Sequence, residues 1–343
     1  QDGLHPSVAS GECLTCHDPH SSNVANLIAF DSQGELCSTC HASGMQSENY
    51  VHGPTAVGAC GVCHESHGVM GNSLVRTERV NDLCYECHLE KQDEISGDEY
   101  VHGPVAAKCT GCHNPHGAEY EFFLSAEKSQ LCYSCHTEVQ KNYVAASSKH
   151  LALEQDQECL NCHNAHSSDF QFMLRQNSFD LCLSCHDHPM QDGKITDIAG
   201  VLDKNPNWHG PIKNKDCSGC HMSHGGQNFR LLRYEYPANF YAPFDVDNYQ
   251  LCFQCHNADN TQDSTTTNLT NFRDGNQNLH YLHVNREKGR TCRSCHEVHA
   301  ATKPFHIREA VPYGAWQLPI NYTKTTTGGK CAPGCHKPFT YAR

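Results

Sequence analysis

Twelve times along 343 residues, two cysteines separated by two or three residues are followed directly by histidine. Eleven copies read Cys-x-x-Cys-His, with cysteines at Cys13 and Cys16, Cys37 and Cys40, Cys60 and Cys63, Cys84 and Cys87, Cys109 and Cys112, Cys132 and Cys135, Cys159 and Cys162, Cys182 and Cys185, Cys217 and Cys220, Cys252 and Cys255, and Cys292 and Cys295. The twelfth, "CAPGCH", holds Cys331 and Cys335 with one extra residue between them. The adjacent histidines are His17, His41, His64, His88, His113, His136, His163, His186, His221, His256, His296 and His336. Together the copies use all 24 cysteines, so no thiol is left for another purpose.

The copies alternate. One kind carries a second histidine three residues on: "CLTCHDPH", "CGVCHESH", "CTGCHNPH", "CLNCHNAH", "CSGCHMSH" and "CRSCHEVH". The other follows a leucine and lacks it: "LCSTCH", "LCYECH", "LCYSCH", "LCLSCH" and "LCFQCH", with "CAPGCH" in the sixth place. The chain is thus six tandem doublets, approximately 1–48, 49–97, 98–146, 147–200, 201–258 and 259–343, expected to form one continuous chain of sites. First-kind motifs begin 47, 49, 50, 58 and 75 residues apart.

Zinc ribbons and disulfides account for part of this. The 20 residues between Cys16 and Cys37, and between Cys63 and Cys84, fall in the zinc-ribbon window. Yet a four-cysteine zinc site is complete without histidine, and disulfides explain only an even cysteine count. Cys-x-x-Cys-His is the attachment signature of c-type haem: two thiols bond one porphyrin and the neighbouring imidazole reaches its iron. Twelve copies imply twelve haems c. In "CAPGCH" the extra residue bulges while the flanking groups keep their reach.

The remaining histidines supply second axial ligands. Six lie at the +3 position (His20, His67, His116, His166, His224 and His299), and six lie seven to nine residues before each first-kind motif (His5, His52, His102, His150, His209 and His283). His188, His280 and His306 are left over. A +3 histidine shares a face with the histidine before it, whereas axial ligands approach one iron from opposite sides. His116 is therefore expected to serve a haem other than the one on Cys109 and Cys112, in the same or an adjoining doublet. The five methionines show no regular placement, which argues against Met/His ligation and for low, overlapping potentials.

Only 38% of residues are hydrophobic. With about 29 residues per haem (343 over 12), porphyrin is expected to supply most of the core and to couple insertion to folding. The expected fold is a mostly irregular coil with short α-helices at the motifs and few strands, one suspected at "AVPYGAWQLPINY". Ser32 with Glu35 reads as a capping box. Gly-Pro after His52, His102 and His209 marks a turn. Residues 257 to 280 read as a polar surface loop. The aromatics Phe305, Tyr313, Trp316 and Tyr322 read as a lid over a cofactor or as a contact surface. A formal charge of −13 argues against nucleic acid as partner, and no apolar run is long enough to span a bilayer. The chain opens as a cleaved mature chain would, and no cysteine near residue 1 offers a lipid anchor.

Over essentially its whole length the sequence resembles the doubled Cys-x-x-Cys-His family of multihaem c-type cytochromes, including periplasmic and outer-membrane-conduit members. More distantly it is similar to extracellular cytochromes that form conducting filaments. The resemblance implies bis-histidine haems in a chain, one-electron transfer among redox partners or extracellular acceptors, and a place outside the cytoplasm, extracellular or at the cell surface in preference to the periplasm. Three arrangements stay open: a filament in which His5, His280 or His306 bridges chains, a monomeric or porin-embedded conduit, and a reductase with one open iron.

Overall fold

The computed structural model describes residues 3–41, 48–69, 73–155, 157–191 and 195–343. The chain divides into two compact units. One comprises Gln1–Thr137 with Gln155–Arg175, the other Glu138–Glu154 with Gln176–Arg343. The division does not follow the doublets. The fourth doublet is shared out, because its first-kind segment packs with the third.

Each motif kind has its own backbone. Second-kind motifs sit on short α-helices, at Gln33–His41, Val80–Tyr85, Lys128–Tyr133, Ser178–Leu183 and Gln250–Phe253. The first opens as the capping box requires, with the Ser32 hydroxyl accepting from the Glu35 amide at 3.1 Å. Five of the six first-kind motifs instead wind as 3-10 turns, at Cys13–Thr15, Cys60–Val62, Cys109–Gly111, Glu158–Asn161 and Cys292–Ser294, and the one at Cys217 is a plain turn. The twelfth departs from the expected helix: Cys331 ends the strand Gly328–Cys331, the middle strand of a three-stranded antiparallel sheet with Thr323–Lys324 and Phe339–Ala342.

The Gly-Pro turns open four- or five-residue helices, Gly53–Ala56, Gly103–Ala107 and Gly210–Lys213, with proline in the first turn, where its missing N–H costs nothing. The histidine before each is the extended residue that precedes the helix.

Most strands are two residues long. They form a recurring antiparallel clasp between the residues before a Gly-Pro-type histidine and those after the +3 histidine of the next doublet. Tyr50–Val51 pairs with Gly117–Ala118, Tyr100–Val101 with Ser167–Ser168, Ser148–Lys149 with Gly225–Gly226, and Asn207–Trp208 with Ala300–Ala301. The suspected C-terminal strands are a hairpin, Ala310–Tyr313 with Trp316–Pro319, turning at Gly314.

Residues 257 to 280 are not a plain surface loop. They hold a helix at Asp259–Gln262 and paired strands at Arg273–Asp274 and Gln277–Asn278. Thr261, Thr266 and Asn278 are buried. Hydrogen bonding drives this polar segment inward. Fully buried Asn278 donates to the Asn260 and Asp263 carbonyls at 2.9 and 2.8 Å, and its side-chain oxygen accepts from the His280 amide at 3.0 Å.

The polypeptide core is unevenly spread. The second unit has two apolar clusters, one around Phe179, Leu202, Ile212 and Ala300, the other around Leu232, Tyr236, Tyr249 and Val284. Among the described residues of the first unit, Ala118 is the one buried apolar side chain.

Candidate haem sites

The sequence-predicted histidines face one another in pairs. In the first unit the pairs are His5 with His41, His17 with His67, His52 with His88, His64 with His116, His102 with His136 and His113 with His166. In the second they are His150 with His186, His209 with His256, His221 with His299, His280 with His296 and His283 with His336. Ring centroids in these eleven pairs lie 5.9 to 6.4 Å apart. Every pair joins a motif histidine to a histidine elsewhere in the sequence.

The spacing is informative. Direct ring stacking brings centroids closer, and a hydrogen bond would bring nitrogens together. Two metal–imidazole bonds of about 2 Å each, plus roughly 1 Å from nitrogen to centroid at either end, give about 6 Å. Nor do ligands cluster as a zinc site demands: among the described residues no three His, Cys, Asp or Glu side chains converge on one point. Opposed imidazoles beside a cysteine pair are the donor set of a six-coordinate haem, and the residues fit it.

The register resolves where the +3 histidine goes. His67, His116, His166 and His299 each face the first-kind histidine of the preceding doublet. The histidines before first-kind motifs face the second-kind histidine of their own doublet, from His5 to His283. His163 lies in the first unit and His224 in the second.

The last doublet differs from the sequence assignment. His296 faces His280, which had been left unassigned, and no imidazole of the described residues faces His20. On the short helix Leu279–Val284, His280 and His283 project from one side to two motif histidines. Their i, i+3 spacing repeats that of His113 and His116, and was the available sequence signal. His306 lies edge-on to His209 at 5.4 Å, and His188 contacts Asp187.

Ring orientation is fixed from the far nitrogen. Nδ1 of His17, His64, His113, His163, His221 and His296 donates to the carbonyl nine residues on, at Asn26, Ser73, Phe122, Phe172, Arg230 and Phe305, over 2.7 to 3.0 Å. These six carbonyl residues, and the residue after each, have left-handed φ although none is glycine. Nδ1 of His52, His102 and His150 donates to Pro115, Ala165 and Ser223, inside the His-x-x-His segment of the next doublet. Each bond leaves Nε2 with its lone pair toward the facing ring and raises its basicity.

Burial disfavours the charged form of nine of the paired histidines and so favours the neutral form that binds metal. It pushes His280 and His299 down to about 4, and lowers His116, His166, His186, His209, His221, His283 and His296.

Cysteines of successive motifs also meet. A hydrogen bond from the Cys84 thiol pulls Cys109 down to about 7 and drives Cys84 upward, and Cys132 with Cys159 repeats the arrangement. The Cys182 thiol hydrogen-bonds Cys217, and the Cys252 thiol Cys292, in the same way, with all four cysteines free of disulfides. Attachment points from adjoining doublets are therefore neighbours.

The family model of the doubled CXXCH motif matches residues 5–46, 52–93, 102–141, 150–191 and 209–261, more than half of the sequence. The chain belongs to the doubled CXXCH family. It is a multihaem c-type cytochrome, binds haem c covalently through its Cys-x-x-Cys-His motifs, and transfers electrons. The sixth doublet, with "CAPGCH", lies outside the matched segments. No curated protein matches the chain. Among the described residues no helix of this cytochrome is long and apolar enough to cross a membrane.

Proposed function

We propose that the chain is a dodecahaem electron conduit in which all twelve cysteine pairs carry haem and every iron has two histidine ligands. The carrying observation is the set of eleven imidazole pairs at a separation that admits one iron. The motif histidines and those facing them are the axial ligands, with His163 and His224 in the same role and His280 joining the set. Haem iron supplies reversible one-electron chemistry, and the chain's residues hold it six-coordinate and low-spin. Because the +3 histidine binds the preceding doublet's iron while its own motif holds another, each His-x-x-His segment couples two sites. Substrate reduction would need an open iron with acid or base groups beside it, and filled ligand pairs favour transfer without chemistry.

The conduit works outside the cytoplasm, at the cell surface or beyond, and hands electrons over long distances to other redox proteins or extracellular acceptors. Ligand pairing speaks against a filament bridged by His5 or His280, since both face histidines of the same chain. Intact mass tests the count, with twelve haem additions expected and eleven implicating "CAPGCH". Ferric EPR tests the ligation: a high-spin signal, or CO binding by the reduced protein, would replace the conduit with a reductase. Discrete particles at every concentration in negative stain are expected, and fibres would restore the filament.

A further inference from the structure

His20 is held as its +3 counterparts are, yet among the described residues no imidazole faces it. Its backbone amide donates to Asp18 Oδ1 at 2.9 Å, as the His116 and His166 amides donate to Asn114 and Asn164 at 3.1 Å. The Ser22 hydroxyl bonds the Ile28 carbonyl and accepts from the Val24 amide at 3.0 Å, and Ser168 does the same with Leu174 and Phe170. His20-Ser21-Ser22 is thus the counterpart, residue for residue, of His166-Ser167-Ser168.

What differs is the cover. His166 faces His113, its carbonyl accepts from the His102 amide, and Tyr100–Val101 pairs with Ser167–Ser168. Ser167 and Ser168 are 0% and 6% exposed in consequence. The carbonyls of His67, His116, His224 and His299 likewise accept from the amides of His5, His52, His150 and His209. Among the described residues no amide reaches the His20 carbonyl, no strand pairs with Ser21–Ser22, and His20 and Ser21 are exposed. Among the described residues a pairing strand, an amide and a facing imidazole are thus absent together at one place.

Among the described residues no motif histidine faces it. Four of the five later +3 histidines face the doublet before their own, and the fourth doublet's His163 has its sequence counterpart in His224. At the other end, His280 takes the place of a seventh doublet's +3 histidine, so His296 is not waiting for a second copy. We infer that His20 is an axial ligand for a haem outside this sequence, on a segment that also lays a short antiparallel strand along Ser21–Ser22. The iron belongs either to residues preceding these in the natural polypeptide or to a partner cytochrome with an open haem.

This rests on the paired-ligand reading, and the test separates the two. Holoprotein is titrated with microperoxidase, a ferric haem peptide with one histidine ligand and one open position, and loss of the peptide's high-spin EPR signal is followed. Any high-spin signal before peptide is added would count against paired ligation itself. One equivalent per chain should become low-spin with wild type and with His188→Ala, and none with His20→Ala. The inference is overturned if wild type takes up no peptide, or if His188→Ala removes uptake as fully as His20→Ala. The full natural polypeptide distinguishes the sources. With a preceding doublet it takes up no peptide, and His20→Ala exposes one high-spin iron. With a separate partner it takes up one equivalent. No uptake together with no new high-spin iron in His20→Ala also overturns it.

Discussion

At the scale of the residue, the histidines carry two opposing demands, burial and basicity. Burial disfavours the imidazolium, so His280 and His299 are held down to about 4 in the folded chain. Folding then favours the neutral form. The contribution is complete above pH 6.5, shrinks as the unfolded chain takes up protons below it, and is gone by about pH 4, an amount on the order of 3 kcal/mol for each. In the chain without bound iron, acid titration should therefore destabilise the second unit between about pH 6.5 and 4. Denaturant unfolding across that interval would show it, and a stability flat over it would contradict it. The left-handed carbonyl residues carry a different cost, about 1 kcal/mol for each non-glycine residue so placed. Phe172 is 80% exposed, so its ring adds little packing to offset that strain. Phe172→Gly should raise thermal stability by roughly 0.5–1 kcal/mol with the spectrum unchanged.

At the scale of the element, the short helix Leu279–Val284 does the work of two strands and a turn elsewhere, since it delivers both His280 and His283. Its only cap is Asn278, whose side-chain oxygen also accepts from the Tyr281 amide at 3.3 Å. Asn278→Ala leaves buried carbonyls and amides without partners, at a cost of about 2–3 kcal/mol. Both last-doublet sites should loosen together, seen as a lower melting temperature and growth of high-spin iron. His280→Ala should open the His296 iron alone, adding one high-spin equivalent that binds CO when reduced. These elements also show how far the sequence could be read. Attachment motifs were legible because covalent chemistry dictates their spacing, and His-Gly-Pro turns because proline fixes φ. The doublet that His116 faces was not, since it depends on a clasp between Tyr50–Val51 and Gly117–Ala118 that leaves only small residues as a trace. His280 reads as a spare histidine because it closes a stretch, residues 257 to 280, whose polar composition looks like a surface loop. Burial of that segment comes from the amide of Asn278, which no hydropathy pattern reveals.

At the scale of the whole molecule, the two units differ in what holds them. The second has apolar clusters around Phe179 and Tyr249 that bury side chains against one another. Burial of each large apolar side chain contributes about 1.5–3 kcal/mol, so these clusters give the chain something to collapse on. The first unit has Ala118 alone among its described residues. Its two-residue clasps and its described helices, none longer than nine residues, are too short to persist by backbone bonding alone, because nucleation of each costs more than it returns. On the proposed ligation, haem and its two histidines at each motif are what order it. Polypeptide made without haem attachment should accordingly separate by unit. Hydrogen exchange in the first unit should run at the rate of an unfolded chain, while amides around Leu202, Tyr249 and Val284 keep measurable protection. Replacing His5 or His52 by alanine in the holoprotein should then loosen the first unit near the affected site, whereas His280→Ala should leave the clusters of the second unit protected. Equal protection of both units without haem would mean that the first has a core of its own, and that haem is cargo there and not scaffold.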